Sequence, residues 1–318
     1  MAVVPGQIGT LTELVLKDEL IWFLKLDESG KFLITPSVNT NYGDIYPGVQ
    51  GVDAYQISTN KNHSMVSVGR ITMPLSNMEQ NGESDKIEVS ISKDADQVTT
   101  IRHDKTIRGY NKDSYEAAII YGDSKSPEKY TFHASTDMTG IYEQKRKRIE
   151  RFKAYIAESF DLVSYDDFTL VKSGRYDDDP FLEFTEKYQV KGILRKAGVN
   201  YIFQAGKLIG TQIEINEDEL KRSYDIFSDC PRAFFNEISI TIPEGYIVQG
   251  MEKLMMDITN EAGSFTSKAS MEGNILKITT SKIYLHNFEK KEDWGKIVQF
   301  LDAAYDFTQA RILLKKLK

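Results

Sequence analysis

Nucleophilic chemistry in this chain would have to start from Cys230, its single cysteine, with His286 and Asp293 downstream. The order Cys, His, Asp is one that cysteine peptidases and acyltransferases use: a thiolate attacks a carbonyl, and an imidazole held by a carboxylate moves the proton. In such enzymes the thiolate is stabilised at a helix N-terminus. Here "DCPRAFFNEISIT" runs from a loop into a strand, which favours a structural or surface thiol. One cysteine also excludes an intrachain disulfide and a cysteine-built zinc site.

Other residue types with chemical potential are scattered or locally explained. His63, His103, His133 and His286 include no pair at i and i+4 and no HExxH helix, so each reads as a loop or strand-surface side chain. Asp177, Asp178 and Asp179 offer oxygen ligands to a hard cation such as calcium, but "YDDDP" lacks the spacing, central Gly and distal Glu of an EF-hand loop. It reads as a solvated turn before Pro180. "KRKRIER" is basic enough to meet phosphate or an acidic lipid surface, yet Glu143 and Glu150 offset part of its charge on the same helix. A solvated helix face is the better reading. Phosphate-binding glycine loops and the GxSxG elbow are absent. The sequence therefore nominates no catalytic, cofactor-binding or metal-ligating residue.

Positioning any site falls to a chain of 318 residues, long enough for two or three domains that each bury a core. Its 41% hydrophobic and 27% charged content, rich in Tyr and Phe, is that of a soluble globular protein with many strands. The net charge of −7 lacks the basic field of nonspecific nucleic-acid binding, so nucleic acid is not an expected partner. Apolar runs such as "ELIWFLKL" fall short of the ~20 residues a membrane span needs. "MAVVPGQIGT" has neither the basic region nor the apolar core of a secretory signal. That suggests either a cytoplasmic protein or a downstream piece of a longer one.

Hydrophobic periodicity divides the chain into three expected parts. Residues 1–52 carry two short strands around a turn at Glu28-Ser29-Gly30, then a loop crowded with Pro, Gly and Asn. Residues 53–162 carry several modest strands and close on an amphipathic helix, about Thr139 to Phe160, whose buried face holds Ile141, Tyr142, Lys145, Ile149, Phe152 and Ile156. Residues 163–318 alternate through a long meander, with a hairpin at "MEGN", then a helix over 290–307 and a last strand, "ARILLKK". The expected fold class is mainly β (α+β), with antiparallel β-sandwich-like domains and one or two packed helices.

"ISITIPEGYIVQG", "GSFTSKASMEGNILKITTSKIYL" and the closing helix and strand resemble the C-terminal β-domain of unknown function found in large bacterial transglutaminase-like proteins. The resemblance covers roughly residues 160 to 318. "LIWFLKLDESGKFLITPSVNTNYGDIYPGVQG" is similar to the end of the transglutaminase-like core, where paired strands deliver a catalytic His and an Asp before a Pro. Here the first strand has no His, and Thr35 precedes Pro36. A thiolate without its imidazole base, or a base without its nucleophile, forms no acyl-enzyme. The resemblance thus implies the frame of such a protein without its chemistry, at a periplasmic or cell-surface location in Gram-negative bacteria.

Two functional expectations follow. The first, which the residues favour, is a non-catalytic structural or protein-interaction region that braces a core or takes a protein or peptide partner along a sheet edge. The second is part of an active transglutaminase-like cysteine peptidase or acyltransferase, which requires Cys230 and His286 within hydrogen-bond reach in a cleft.

Overall fold

The computed structural model describes residues 49–92 (His63 apart), 97–112, 138–174 and 179–317, together with Tyr115, Ile119 and short pieces before residue 49. The first hairpin is β1 (Asp53–Thr59) with β2 (Met65–Thr72), extended by two-residue strands at Ala2–Val3 and Ile21–Trp22 into a four-stranded sheet. Then follow β3 (Gly82–Ile91), β4 (Thr99–Ile107), helix α1 (Met138–Ser159), β5 (Asp161–Lys172), β6 (Leu182–Lys191), β7 (Leu194–Ala197) and β8 (Asn200–Phe203). The remainder comprises β9 (Arg232–Thr241), β10 (Tyr246–Gln249), β11 (Met256–Thr259), β12 (Gly263–Glu272), β13 (Ile275–Tyr284), helix α2 (Trp294–Thr308) and β14 (Ile312–Lys316). The chain is mainly β, of the α+β kind, as its periodicity led one to expect.

Eight strands form the main sheet in the order β11-β12-β13-β9-β3-β4-β6-β5. All neighbours are antiparallel except β3 and β9, which run parallel from Gly82 beside Ala233 to Ser90 beside Thr241. Period-two alternation gives the sheet one wet and one dry face. In β3, Ile87 and Val89 are buried while Lys86, Glu88 and Ser90 between and beside them are exposed. In β6, Leu182, Phe184, Tyr188 and Val190 point into the core in the same way.

The dry face is covered by α2, by a four-stranded sheet in the order β7-β8-β14-β10, and at the β5 side by α1. Helix α2 buries Trp294, Ile297, Phe300, Leu301, Ala304 and Phe307. These meet Phe265, Ile278 and Ile240 of the main sheet and Phe203 and Leu314 of the small one in a single core. Helix α1, observed at Met138–Ser159 against the expected 139–160, buries Phe152 and Ile156, two of the residues assigned to its inner face. Ile149 is half-buried, whereas the side chains of Ile141, Tyr142 and Lys145 lie outside the described residues.

Strand pairing crosses the boundaries of the three expected parts. Strands β4 and β6 pair from Ile107 with Leu182 to Thr99 with Val190, so the boundary at 162/163 runs through one sheet. The physical reason is that β3 and β4 alone would be a hairpin with an open apolar face, which needs further strands to become stable. The boundary at 52/53 likewise divides a small core of Phe32, Val49, Val52, Ala54 and Met73. The expected meander is also interrupted: β10 leaves the main sheet after Pro243 and pairs with β14 in the small one.

Candidate ligand-binding site

Where β3, β4 and β6 lie side by side, charged residues occupy positions that the alternation assigns to the core. Asp85 stands opposite Lys105, and His103 between Ile87 and Glu186. Their register places them in contact beneath α1. His103 Nε2 lies 2.7 Å from Asp85 Oδ1 and Nδ1 lies 2.9 Å from Glu186 Oε1. Carboxylate oxygens only accept, so both ring nitrogens must carry hydrogen and the imidazole is held as the cation. Burial alone would push its pKa down; the charge and hydrogen bond of Asp85, reinforced by Glu186, outweigh this and lift it to about 9.

Lys105 completes the cluster. Its Nζ donates to Glu83 Oε2 at 2.6 Å and to both oxygens of Asp85 at 3.0 and 3.1 Å. Burial disfavours its charge, but Asp85 and Glu83 more than compensate, and the pKa stands well above the ordinary lysine value. Burial would raise Asp85 in turn, yet Lys105 and His103 hold it well below the usual carboxylate range. Tyr165 donates to the remaining oxygen of Glu186 at 3.0 Å. Each polar group of this floor thus has partners, the condition under which buried charge is tolerated.

Above the floor lies a cavity of about 350 Å³. Its walls are mostly apolar: Ile87 and Phe184 from the sheet, Phe152, Ile156 and Phe160 from and just beyond α1, and Leu208 from the 3-10 turn Ala205–Ile209. Phe152, Phe168 and Phe184 pack with ring centroids 5.2 to 5.5 Å apart, Phe168 stacked on Phe184 and Phe152 tilted against both, and hold the β5 side together. Arg151 and Tyr155, both exposed, mark the mouth. The helical spacing of Phe152 with Ile156, and of Arg151 with Tyr155 and Ser159, is what turns these residues toward one space.

Two polar groups face this cavity without complete partners among the described residues. Tyr188 is only 6% exposed and its hydroxyl makes no hydrogen bond there. Burial, then the nearby charges of Glu186 and Asp85, raises its pKa, so it remains a neutral phenol. Asn236, from β9, donates its amide to Thr280 Oγ1 at 2.9 Å, which leaves its carbonyl oxygen unpaired. This is the composition of a small-molecule site: concave, largely apolar, with a few fixed polar groups.

The residues singled out for cysteine chemistry do not assemble there. Cys230 is fully buried, and burial pushes its thiol up to about 11 against the pull of Arg232. An activated nucleophile has the opposite shift. His286 is exposed and hydrogen-bonded to Glu289 at 2.7 Å, while Asp293 pairs with Lys296 at 3.1 Å ahead of α2. No hydrogen bond among the described residues joins Cys230 to either. His63, His133, Asp177, Asp178, Thr35 and Pro36 lie outside the described residues; Asp179 forms a salt bridge with Arg108. No group of three His, Cys, Asp or Glu side chains among the described residues is arranged to hold a metal ion.

The cavity floor went unmarked in the motif reading, yet it left a trace in the alternation. Glu83 and Asp85 are in phase with Ile87 and Val89, His103 and Lys105 with Ile101 and Ile107, and Glu186 with Phe184 and Tyr188. Charge on the buried phase of three strands is a signal that these strands meet. A scan against models of known protein families gives no match, and a search of curated proteins returns none either. No helix among the described residues is long and apolar enough to cross a membrane.

Proposed function

We propose that this chain is a non-catalytic interaction region of a transglutaminase-like bacterial envelope protein, bracing or docking a polypeptide along a sheet edge. The observation that carries this reading is β2. It is the outer strand of its sheet, and its free edge has no partner strand among the described residues. Met65 and Val66 are each 66% exposed and Val68 is 54% exposed, three large apolar side chains within four residues. Exposed apolar edges are what proteins otherwise blunt with charge, bulges or cover, and are where an extended segment adds as a further strand. The buried, protonated Cys230 and the locked His103 support the absence of cysteine catalysis from this chain's role.

The test is a photo-crosslinking amino acid at Val66, with the same residue at Lys277 on the wet face of the main sheet as control, in the complete gene product within its own cell. A peptide-mapped adduct at 66 and not at 277 is expected. A segment of the same polypeptide would assign bracing, and another protein would assign docking. Equal labelling at both sites, or none at 66, would sink the reading.

A further inference from the structure

The cavity under α1 plays no part in strand addition at β2. Its floor is closed: Asp85, His103, Lys105 and Glu186 are partnered with one another, with Glu83 and with Tyr165, so they offer little to a ligand's own charge. What remains open is of three kinds. The walls are apolar and aromatic. Two polar groups on residues more than nine-tenths buried, the Tyr188 hydroxyl and the Asn236 carbonyl oxygen, have no hydrogen-bond partner among the described residues. Both face the cavity, where a bound molecule can pair with them. The third is Arg151, a cation at the mouth that no ion pair engages among the described residues.

We propose that the cavity binds a small amphipathic carboxylate: an apolar or aromatic body between Phe152, Ile156 and Phe184, an uncharged hydrogen-bonding group at Tyr188 and Asn236, and the carboxylate at Arg151. Charge arrangement fixes the orientation. At the inner end Asp85 and Glu186 are already paired with the cations His103 and Lys105 and leave no free charge for an acid group, while the guanidinium outside accepts it in the paired geometry that arginine favours. A neutral amide suits the inner position, since the phenol donates to its carbonyl and Asn236 accepts from its N–H. The volume of about 350 Å³ lies within the range for such molecules and excludes a folded partner. An N-acylated amino acid has all three parts in order.

The probes are N-acetyl-L-phenylalanine, its uncharged C-terminal amide, and the cation 2-phenylethylamine, titrated into the full chain and followed by amide shifts in NMR. The acid is expected to bind with a dissociation constant of about 1 mM or tighter. Its shifts should centre on Tyr188, Ile156 and Asn236. Arg151→Glu should weaken the acid about tenfold and leave the uncharged amide unchanged, with Arg151→Lys between. Tyr188→Phe should weaken both, and Ile156→Trp, which fills the space, should abolish binding. Where Ile156→Trp does not fold, as judged by its melting curve, Ser159→Trp obstructs the same cavity from its half-exposed rim. Binding of the amine as tight as that of the acid, acid binding that survives the filled cavity, or no saturation by any probe at about 10 mM would each overturn the proposal.

Discussion

Oδ1 of Asp85 sits 2.7 Å from Nε2 of His103, and the two residues project from neighbouring strands into the dry side of the sheet. The contact keeps the imidazole charged at pH values where a free histidine is neutral, and the folded pKa is about 9 against an ordinary 6.5. Because the folded state holds this proton more tightly, the stabilisation is fully present below pH 6.5 and is lost as pH rises toward 9. Urea unfolding at pH 6, 7 and 8 should show falling stability, by a few kcal/mol over the whole window, since each pH step of one between the two pKa values is worth about 1.4 kcal/mol. His103→Gln should flatten that slope. Lys282, whose pKa burial and then Arg232 push down to about 8, acts in the other direction above pH 8, so the lower half of the window is the cleaner test.

Lys105 is the residue on which the floor depends most. Its removal leaves Glu83 and Asp85 facing each other with less compensation and poor access to water. Lys105→Met is therefore expected to cost about 3–5 kcal/mol in denaturant unfolding, the range for breaking one partner out of a buried ion cluster. An exposed pair such as Lys277 with Glu272 provides the contrast: Lys277→Met should change stability by about 1 kcal/mol or less. Equal effects would mean that the floor is open to solvent.

The sheet and both long helices were legible because alternation and helical spacing are local properties of the chain. α1 and α2 lie within a few residues of their expected limits, and β12 and β13 join at the expected hairpin. Two things were not legible for the same reason. Which strands neighbour one another is decided by contacts far apart in sequence, and the parallel pairing of β3 with β9 unites segments about 150 residues apart that the domain division had separated. The candidate site follows from that pairing: Asp85, His103, Glu186 and Asn236 each look ordinary alone and become a cavity floor and wall only once β3, β4, β6 and β9 are adjacent. Taken alone His103 reads as a loop or strand-surface side chain, and the neighbours that bury it lie on other strands.

Gly206 shows how closely the 3-10 turn beneath the cavity is fitted to α2. Its N–H donates to Ala310 O at 3.2 Å, and a Cβ placed on it would overlap the Phe307 carbonyl of the helix. Both contacts are to backbone, which cannot swing aside as a side chain can. Gly206→Ala should force the turn away from α2 and cost about 1–3 kcal/mol, the usual penalty for overpacking. Because Leu208 on the same turn lines the cavity, the variant should also weaken probe binding. Gly245→Ala is the comparison: its added Cβ meets nothing within 4 Å, and only the positive φ of 85° is strained.

Cys230 decides between the two expectations about chemistry. Its thiol is buried, and its pKa is about 11 against an ordinary value of 9. At pH 8 the folded protein then carries about a hundredfold less thiolate than a free cysteine, before access is considered. Iodoacetamide should therefore leave Cys230 unlabelled in the folded chain between pH 5 and 9 over the time in which a urea-unfolded control is fully alkylated. Folded-state labelling should set in only above pH 9, with no plateau below it. A plateau at lower pH would require a neighbouring cation to stabilise the thiolate, and His286 is committed to Glu289. That result would reopen cysteine catalysis and displace the interaction reading.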